Sequence, residues 1–324
     1  MKNSTATLFS LSLLAASLLS VPVMAAGADI SEQRQVQANE KIYIENLRGL
    51  VDIVATDKAQ FSVKGQLDEK AEGFELTSKD GFTRFIVKMP QQQYNWRGEE
   101  NHTQGSKLKI EVPKGSALEF SGVNTDVTVA GVQGSSKIQT VNGAITTTQL
   151  SNDIALETVN GEITSAGSNG RIRLHTVNGE IDDKGSSGRL AAEAVNGEIS
   201  IQSKASEVSV SVVNGEVKMQ LDGTERLEFS SVNGEISAEL QNSLAPKISA
   251  SSVSGDLKLV LSKSSSARFK LDANAGGDIE NKLTGQAAEK SKYGPRRSLE
   301  FSLGQGEGSV EMTTVSGDLT LEGR

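Results

Sequence analysis

Glu162, Glu180, Glu198, Glu216 and Glu235 each follow a Val-Asn-Gly triplet, and the triplets begin at Val141, Val159, Val177, Val195, Val213 and Val232. Asp126, Asp256 and Asp318 hold the same place in variant copies of the motif. Acids that recur at one place in a repeat can do two kinds of chemistry. Stacked about 5 Å apart along an edge, neighbouring carboxylates repel in water by roughly 0.8 kcal/mol per pair before screening. A Ca2+ ion, which takes carboxylate and carbonyl oxygens, would relieve that repulsion. The same stacking puts acids about 5 Å apart in adjacent units and about 9.5 Å apart in alternate ones, near the separations of glycosidase acid pairs. Against both stands a solvated turn, whose glutamates accept backbone N–H groups or meet Lys and Arg. The calcium nonapeptide Gly-Gly-x-Gly-x-Asp is absent from the sequence. Val-Asn-Gly-Glu edges also bring no aromatic platform to a sugar. The reading adopted is therefore no catalytic residue, no cofactor and no resident metal, with the five glutamates as the candidate Ca2+ column.

Two further stretches carry contact chemistry. Residues 91–102 hold the only Trp, with Tyr94, Trp96, Arg97 and His102 among Asn and Gln. Aromatic rings beside amides and a guanidinium suit a glycan or a protein partner. Residues 289–297 gather Lys290, Lys292, Tyr293, Arg296 and Arg297 in an otherwise acidic chain. That run could meet anionic headgroups or an acidic partner. His175 sits two before Val177, where other copies hold Gln139, Glu157, Glu193 and Ser211. It reads as a free outward imidazole.

Composition narrows the classes. The chain has 324 residues, 33 Lys and Arg against 41 Asp and Glu, a net charge of −8, 2 His and no Cys. Without Cys there are no disulfides, thiolate metal sites, iron–sulfur clusters or thiol nucleophiles. The acidic balance argues against nucleic acid as a partner. Thirty-two Gly, 5 Pro, 9 Phe, 3 Tyr and 1 Trp describe many tight turns around an aliphatic core. Lys2, an apolar run from Leu8 to Val23 and the small residues Ala25 and Ala26 read as a cleaved export signal over 1–25. The apolar run is short of the ~20 residues that span a bilayer. The expected location is outside the cytoplasm, in the periplasm or at the cell surface, with no transmembrane segment after cleavage.

The elements that position these residues come from the repeat. The first five triplets are evenly spaced, and the sixth, at Val232, comes a single position late. Apolar residues stand five and three before the motif Val (Ile154 and Leu156, Ile172 and Leu174) and four and six after it (Val217 and Met219, Leu257 and Leu259). Period-two alternation on both flanks means two short strands per unit, each burying one face. Asn-Gly between them reads as a tight turn that tolerates positive φ. A hairpin per unit would use that turn. A β-solenoid explains more, because stacked copies would join identical Asn side chains into a ladder and fix the spacing. From Leu118 to Leu259 this gives about eight coils, or roughly 35–40 Å of solenoid.

The expectation is an all-β, single-chain β-solenoid (β-helix) with about 18-residue coils. An irregular β cap would cover 26–116, the regular Val-Asn-Gly coils 117–281, and a polar excursion with a closing repeat 282–324. Ile42-Tyr43-Ile44, Leu108-Lys109-Ile110-Glu111-Val112-Pro113, the Val-Asn-Gly coils and the closing Val315-Ser316-Gly317-Asp318-Leu319 carry a resemblance. With them the chain resembles the bacterial putative-adhesin family of β-strand-repeat proteins, a domain of unknown function similar to GIN-type adhesin head domains. The resemblance implies an exported solenoid without catalytic residues, acting as an adhesion or interaction module of the cell envelope toward an envelope protein or a glycan. Two alternatives remain open: a periplasmic structural or envelope-stress protein that binds a protein partner, and a polysaccharide-active β-helix enzyme.

Overall fold

The structure is a computed structural model that describes residues 27–90 and 104–324. Its strands follow from the alternation. In Ser151–Asn160 the inward Ile154, Leu156 and Thr158 are buried while their neighbours are partly or fully exposed. The next coil repeats this at an offset of one coil. Ile154 pairs with Ile172, Leu156 with Leu174 and Asn160 with Asn178, all in parallel register. The strand after the triplet does the same, with Ile163 opposite Ile181 and Ile199 opposite Val217. Each unit therefore pairs with its copy in the next coil, not with itself, and the architecture is a β-solenoid. Two parallel ladders run its length, one made by the strands before the triplet and one by those after it. Inside, Ile138, Ile145, Leu150, Ile154, Leu156 and Ile163 are each 0% exposed. Burial of this kind contributes about 1.5–3 kcal/mol per side chain.

The glycine of the triplet has a different cause from the one expected. Of Gly143, Gly161, Gly179, Gly197, Gly215 and Gly234, only Gly215 has a positive φ. What excludes a side chain is the preceding coil. A Cβ on Gly179 would lie 1.9 Å from the carbonyl oxygen of Gly161, and one on Gly197 1.8 Å from that of Gly179. The corners stack backbone on backbone, and only glycine leaves the room. Where it is Thr or Ser, the residue before the motif Val braces the same corner from inside. Thr158 Oγ1 donates to the Gly143 carbonyl at 3.2 Å and Thr176 Oγ1 to that of Gly161 at 3.3 Å. Ser252 Oγ accepts the N–H of Gly255 at 2.8 Å.

At both ends the order of coils in space departs from their order in the chain. Lys41–Thr56 makes a complete coil, but it is flanked on one side by Phe82–Lys88 and Ser106–Pro113 and on the other by Ala117–Ala130. The chain thus starts one coil in, builds outward and returns past its own first coil. Antiparallel strands close this end. Gly73–Lys79 lies on Phe82–Lys88, Gln60–Gln66 on Ser106–Pro113, and Asp29–Gln35 on Gln60–Gln66. Phe61, Phe74 and Phe85 meet beneath them at ring separations of 5.9–6.2 Å.

The other end mirrors this. Gly308–Thr314 and Leu319–Gly323 stack directly on Lys247–Ser252 and Leu257–Leu261. The earlier strands Ala267–Ala273 and Ile279–Asn281 lie outside them. Arg297–Leu303 then caps Ala267–Ala273 in antiparallel register, with Phe301 stacked on Phe269 at 4.5 Å. A parallel stack would otherwise end in open edges that invite pairing with other chains.

Candidate interaction surface

The outward residues of each coil form rows one coil apart. The motif acids stand in one such row, beside the inward Ile, Val or Leu. Some of them brace the corner. Asp126 Oδ1 accepts the N–H of Ala144 at 2.9 Å, Asp256 Oδ1 that of Asp318 at 2.8 Å, and Asp318 Oδ1 that of Asp278 at 2.7 Å. Glu162 accepts from Thr164 Oγ1 at 2.8 Å, and Glu216 pairs with Lys218 at 2.7 Å. The Glu216 carboxylate holds the Lys218 ammonium above its ordinary pKa. Among the described residues, no hydrogen bond or ion pair engages the side chains of Glu180, Glu198 and Glu235, which stand exposed. The structure thus brings the five candidate Ca2+ glutamates into one row, and gives the aspartates of that row a backbone partner in the next coil.

Beside the acids runs the ladder. Asn142 donates to Asn124 at 2.8 Å, Asn160 to Asn142 at 2.7 Å, Asn178 to Asn160 at 2.9 Å and Asn196 to Asn178 at 3.0 Å. Asn214 continues it to Asn196 at 2.9 Å, and Asn233 to Asn214 at 3.2 Å. Each interior amide gives one bond along the axis and takes one, which fixes its orientation. Next to the ladder the motif valines face outward. Val141, Val159, Val213, Val232, Val253 and Val315 are between 36% and 46% exposed. Sequence reasoning passed over this aliphatic ridge. Parity carried the signal, since a residue one place beyond a buried position must point out.

The strand before the triplet carries a mixed-charge patch. Arg171 and Arg173 both reach Asp153 at 3.5 Å, Arg189 pairs with Glu207 at 3.1 Å, and Gln139 donates to Glu157 at 2.6 Å. His175 lies on this face, half-buried, opposite Glu157 and Glu193. Further along, a shallow depression is lined by Thr224, Arg226, Leu244 and Lys247, with Leu244 68% exposed at its rim.

The basic run divides into anchors and tip. Arg296 bonds Asp272 and Arg297 bonds Asp278, both acids of the outermost coil. The hydrogen bond from Arg297 holds the Asp278 carboxyl below the usual range, and both guanidiniums are raised by their partners. These arginines fasten a short hairpin, closed by Ser291 N–H donating to the Arg296 carbonyl at 2.9 Å. Lys292 and Tyr293 are left at its tip, with Tyr293 83% exposed and Lys292 Nζ 5.5 Å from its ring centre, while the exposed Lys290 lies on the strand opposite Arg297. Tyr94, Trp96, Arg97 and His102 lie outside the described residues.

In the regular coils one acid is turned inward. Asp183 is 0% exposed, and Ser165, Ser168 and Ser186 beside it are equally buried. Burial pushes its carboxyl up to about 6, against the opposing hydrogen bonds from Ser186 and Ser165, while the charge of Asp182 pushes the same way as burial. Ser186 also bonds Ser203 at 2.9 Å, and Asp183 Oδ1 has no partner among the described residues. This polar cluster replaces the aliphatic interior over three coils.

Comparison with known proteins speaks to the whole chain. The family model described as Toastrack DUF4097 matches residues 39–322. A search of curated proteins finds no match. Among solved structures, a putative adhesin from Parabacteroides merdae ATCC 43184 aligns with a TM-score of 0.51 at 11% identity, over 72% of this chain and 97% of the other. A putative lipid binding protein from Parabacteroides distasonis ATCC 8503 aligns at 12% identity with a TM-score of 0.47, over 92% of this chain and 98% of the other. The first of these likenesses concerns the fold alone.

Proposed function

The chain belongs to the Toastrack DUF4097 family, and from that premise we propose that it is a non-enzymatic, exported β-solenoid acting as an adhesion or interaction module of the bacterial cell envelope. The observation that carries the reading is the outward face around the triplet. Coil after coil it presents a half-exposed valine, a laddered asparagine and an acid in fixed rows. A surface of this kind makes many small contacts at low ordering cost, because its paired backbone and laddered asparagines are already held. Tyr94 and Trp96 in the aromatic segment are the proposed anchors for a glycan or an envelope protein.

A second reading, a periplasmic protein that binds a protein partner, is favoured by the hairpin. Its lysines and Tyr293 project from an acidic molecule while the neighbouring arginines are tied down.

The test is location. Intact cells producing the full chain are treated with protease beside a periplasmic control. Cleavage on intact cells is the expected result, and Trp96→Ala and Tyr94→Ala should then lower binding to the cell's target surface. Protection until the outer envelope is opened would overturn surface adhesion in favour of the periplasmic reading. Retention with cytoplasmic markers would overturn both.

A further inference from the structure

Asn-Gly is chemically special as well as structurally useful. Glycine has no Cβ to shield its nitrogen, so the backbone N of Gly can reach the side-chain Cγ of the preceding Asn. The chain has seven Asn-Gly pairs, the six of the triplets and Asn169-Gly170. The fold does not treat them alike. Gly161, Gly179 and Gly197 each donate their N–H to the Asn carbonyl of the next coil, at 3.2, 3.2 and 3.1 Å. Their asparagines also sit in the ladder with both the amide N–H and the amide oxygen engaged. Asn169 is pinned by Ser187 at 2.6 Å. Asn142 and Asn214 are laddered on both sides, but the N–H groups of Gly143 and Gly215 make no hydrogen bond among the described residues.

Among the triplet asparagines, all of them exposed, Asn233 differs in how its amide is held. Its bond to Asn214 is the longest in the ladder at 3.2 Å, and the next coil has Ser254 in place of an Asn. Among the described residues its amide oxygen accepts nothing, and the Gly234 N–H is unbonded. The cause lies in the next coil, where a serine stands in place of the donor; the extra residue of the coil that ends at Asn233 is taken up before Arg226 and leaves Asn233 in register with Asn214.

We propose that Asn233 is a site of spontaneous covalent modification, a deamidation site set by the end of the ladder. The backbone nitrogen of Gly234 gives its proton to solvent base and attacks Cγ of Asn233. A C–N bond forms, the side-chain nitrogen leaves as ammonia, and a five-membered succinimide results. Water opens this ring at either carbonyl, giving aspartate or isoaspartate. The product carries a new carboxylate two residues from Glu235 and has no N–H to give to Asn214. The modification therefore shortens the ladder by one rung and makes that end of the surface more acidic. At the interior triplets the bonded glycine N–H resists deprotonation, and the doubly held amide resists the rotation that the attack requires.

The experiment is incubation of the purified full chain in mildly alkaline buffer, with peptide mapping by mass spectrometry that separates aspartate from isoaspartate. Conversion should be fastest at Asn233, slower at Asn142 and Asn214, and at least tenfold slower at Asn160, Asn178 and Asn196. In the urea-unfolded chain the six triplets should react at similar rates. Equal rates in the folded chain, or the same order surviving in urea, would overturn the proposal. Ser254→Asn supplies the missing rung and should slow Asn233 severalfold in the folded protein. An unchanged rate in a variant that melts like the parent would also overturn it.

Discussion

Between Ile145 and Asn214 each coil rests on the coils next to it in the chain, one repeat before and one repeat after. At both ends it does not: Lys41–Thr56 and Gly308–Thr314 are each enclosed between an outer coil and an inner one. The middle is held by repetition, with the same corner and amide rung at every level and a threonine brace at Thr158 and Thr176. The ends are held by interleaving, antiparallel covers and aromatic packing, at Phe61, Phe74 and Phe85 on one side and Phe269 and Phe301 on the other. A repeated coil can rely on modest interactions because each has two identical neighbours. A terminal coil has one neighbour, and must replace the other with something made only once. The middle should therefore tolerate loss of a unit and the ends should not.

The largest effect tests that directly. Deleting residues 161–178 joins Asn160 to Gly179 and leaves a continuous Val-Asn-Gly-Glu corner. The shortened protein should purify as a folded solenoid with one coil fewer and melt cooperatively. Removing 307–324 takes away a segment of the same length, but it includes Val310, Met312, Leu319 and Leu321, each 0% exposed. Their burial is worth about 6–12 kcal/mol, the size of a domain's whole stability. The truncated chain would also hold a one-coil gap between Leu257–Leu261 and Ile279–Asn281. It should aggregate, or lose its cooperative melt in calorimetry. A truncated protein that melts like the parent would show the interleaving to be incidental.

A second test asks where the middle is weaker than the ends. Among the ionisable side chains between Ile145 and Asn214, Asp183 alone is buried. With a folded pKa of about 6 and an unfolded value near 3.9, the folded state holds its proton more tightly. This contribution is fully present below about pH 4, and it is lost as pH rises through 6. The protein should lose about 2–3 kcal/mol of stability from this group by neutral pH. In Asp183→Asn, denaturant melts at pH 4.5 and pH 7.5 should differ by correspondingly less than in the parent. The same pH slope in both proteins would remove Asp183 from the account.

What was legible in the sequence divides along the same line. The solenoid and the Asn ladder followed from Val-Asn-Gly recurring at a constant interval, because stacking demands identity at fixed spacing. The reason for the glycine was misjudged. Local turn propensity suggested positive φ, whereas the constraint is the Gly161 carbonyl 1.9 Å from where a Gly179 Cβ would be, a contact between residues far apart in the chain. The ends were hardest, since alternation shows which side of a strand is buried and not which strand lies beside it. A clue was nevertheless present. Val253-Ser254-Gly255-Asp256-Leu257 and Val315-Ser316-Gly317-Asp318-Leu319 match each other better than either matches the segment between them, and they are the two that stack. Of the candidate contact residues, the basic run could be found by composition. Its split into anchors and tip depends on Asp272 and Asp278, which only the outermost coil brings beneath Arg296 and Arg297.

The smallest effect concerns the ladder itself. Asn178 gives one bond to Asn160 and takes one from Asn196, whereas Asn233 only gives one, to Asn214. All these groups are exposed, so water replaces much of what is lost, and one net bond is worth about 0.5–1 kcal/mol. Asn178→Ala should then cost about twice as much as Asn233→Ala, roughly 1 kcal/mol against 0.5, read as a shift in the denaturant midpoint at unchanged slope. If the two cost the same, each amide acts only on its own corner, and the rows of the middle are independent. If Asn178→Ala costs more than twice as much, the bonds strengthen one another along the axis, and the middle owes its rigidity to the ladder as a unit.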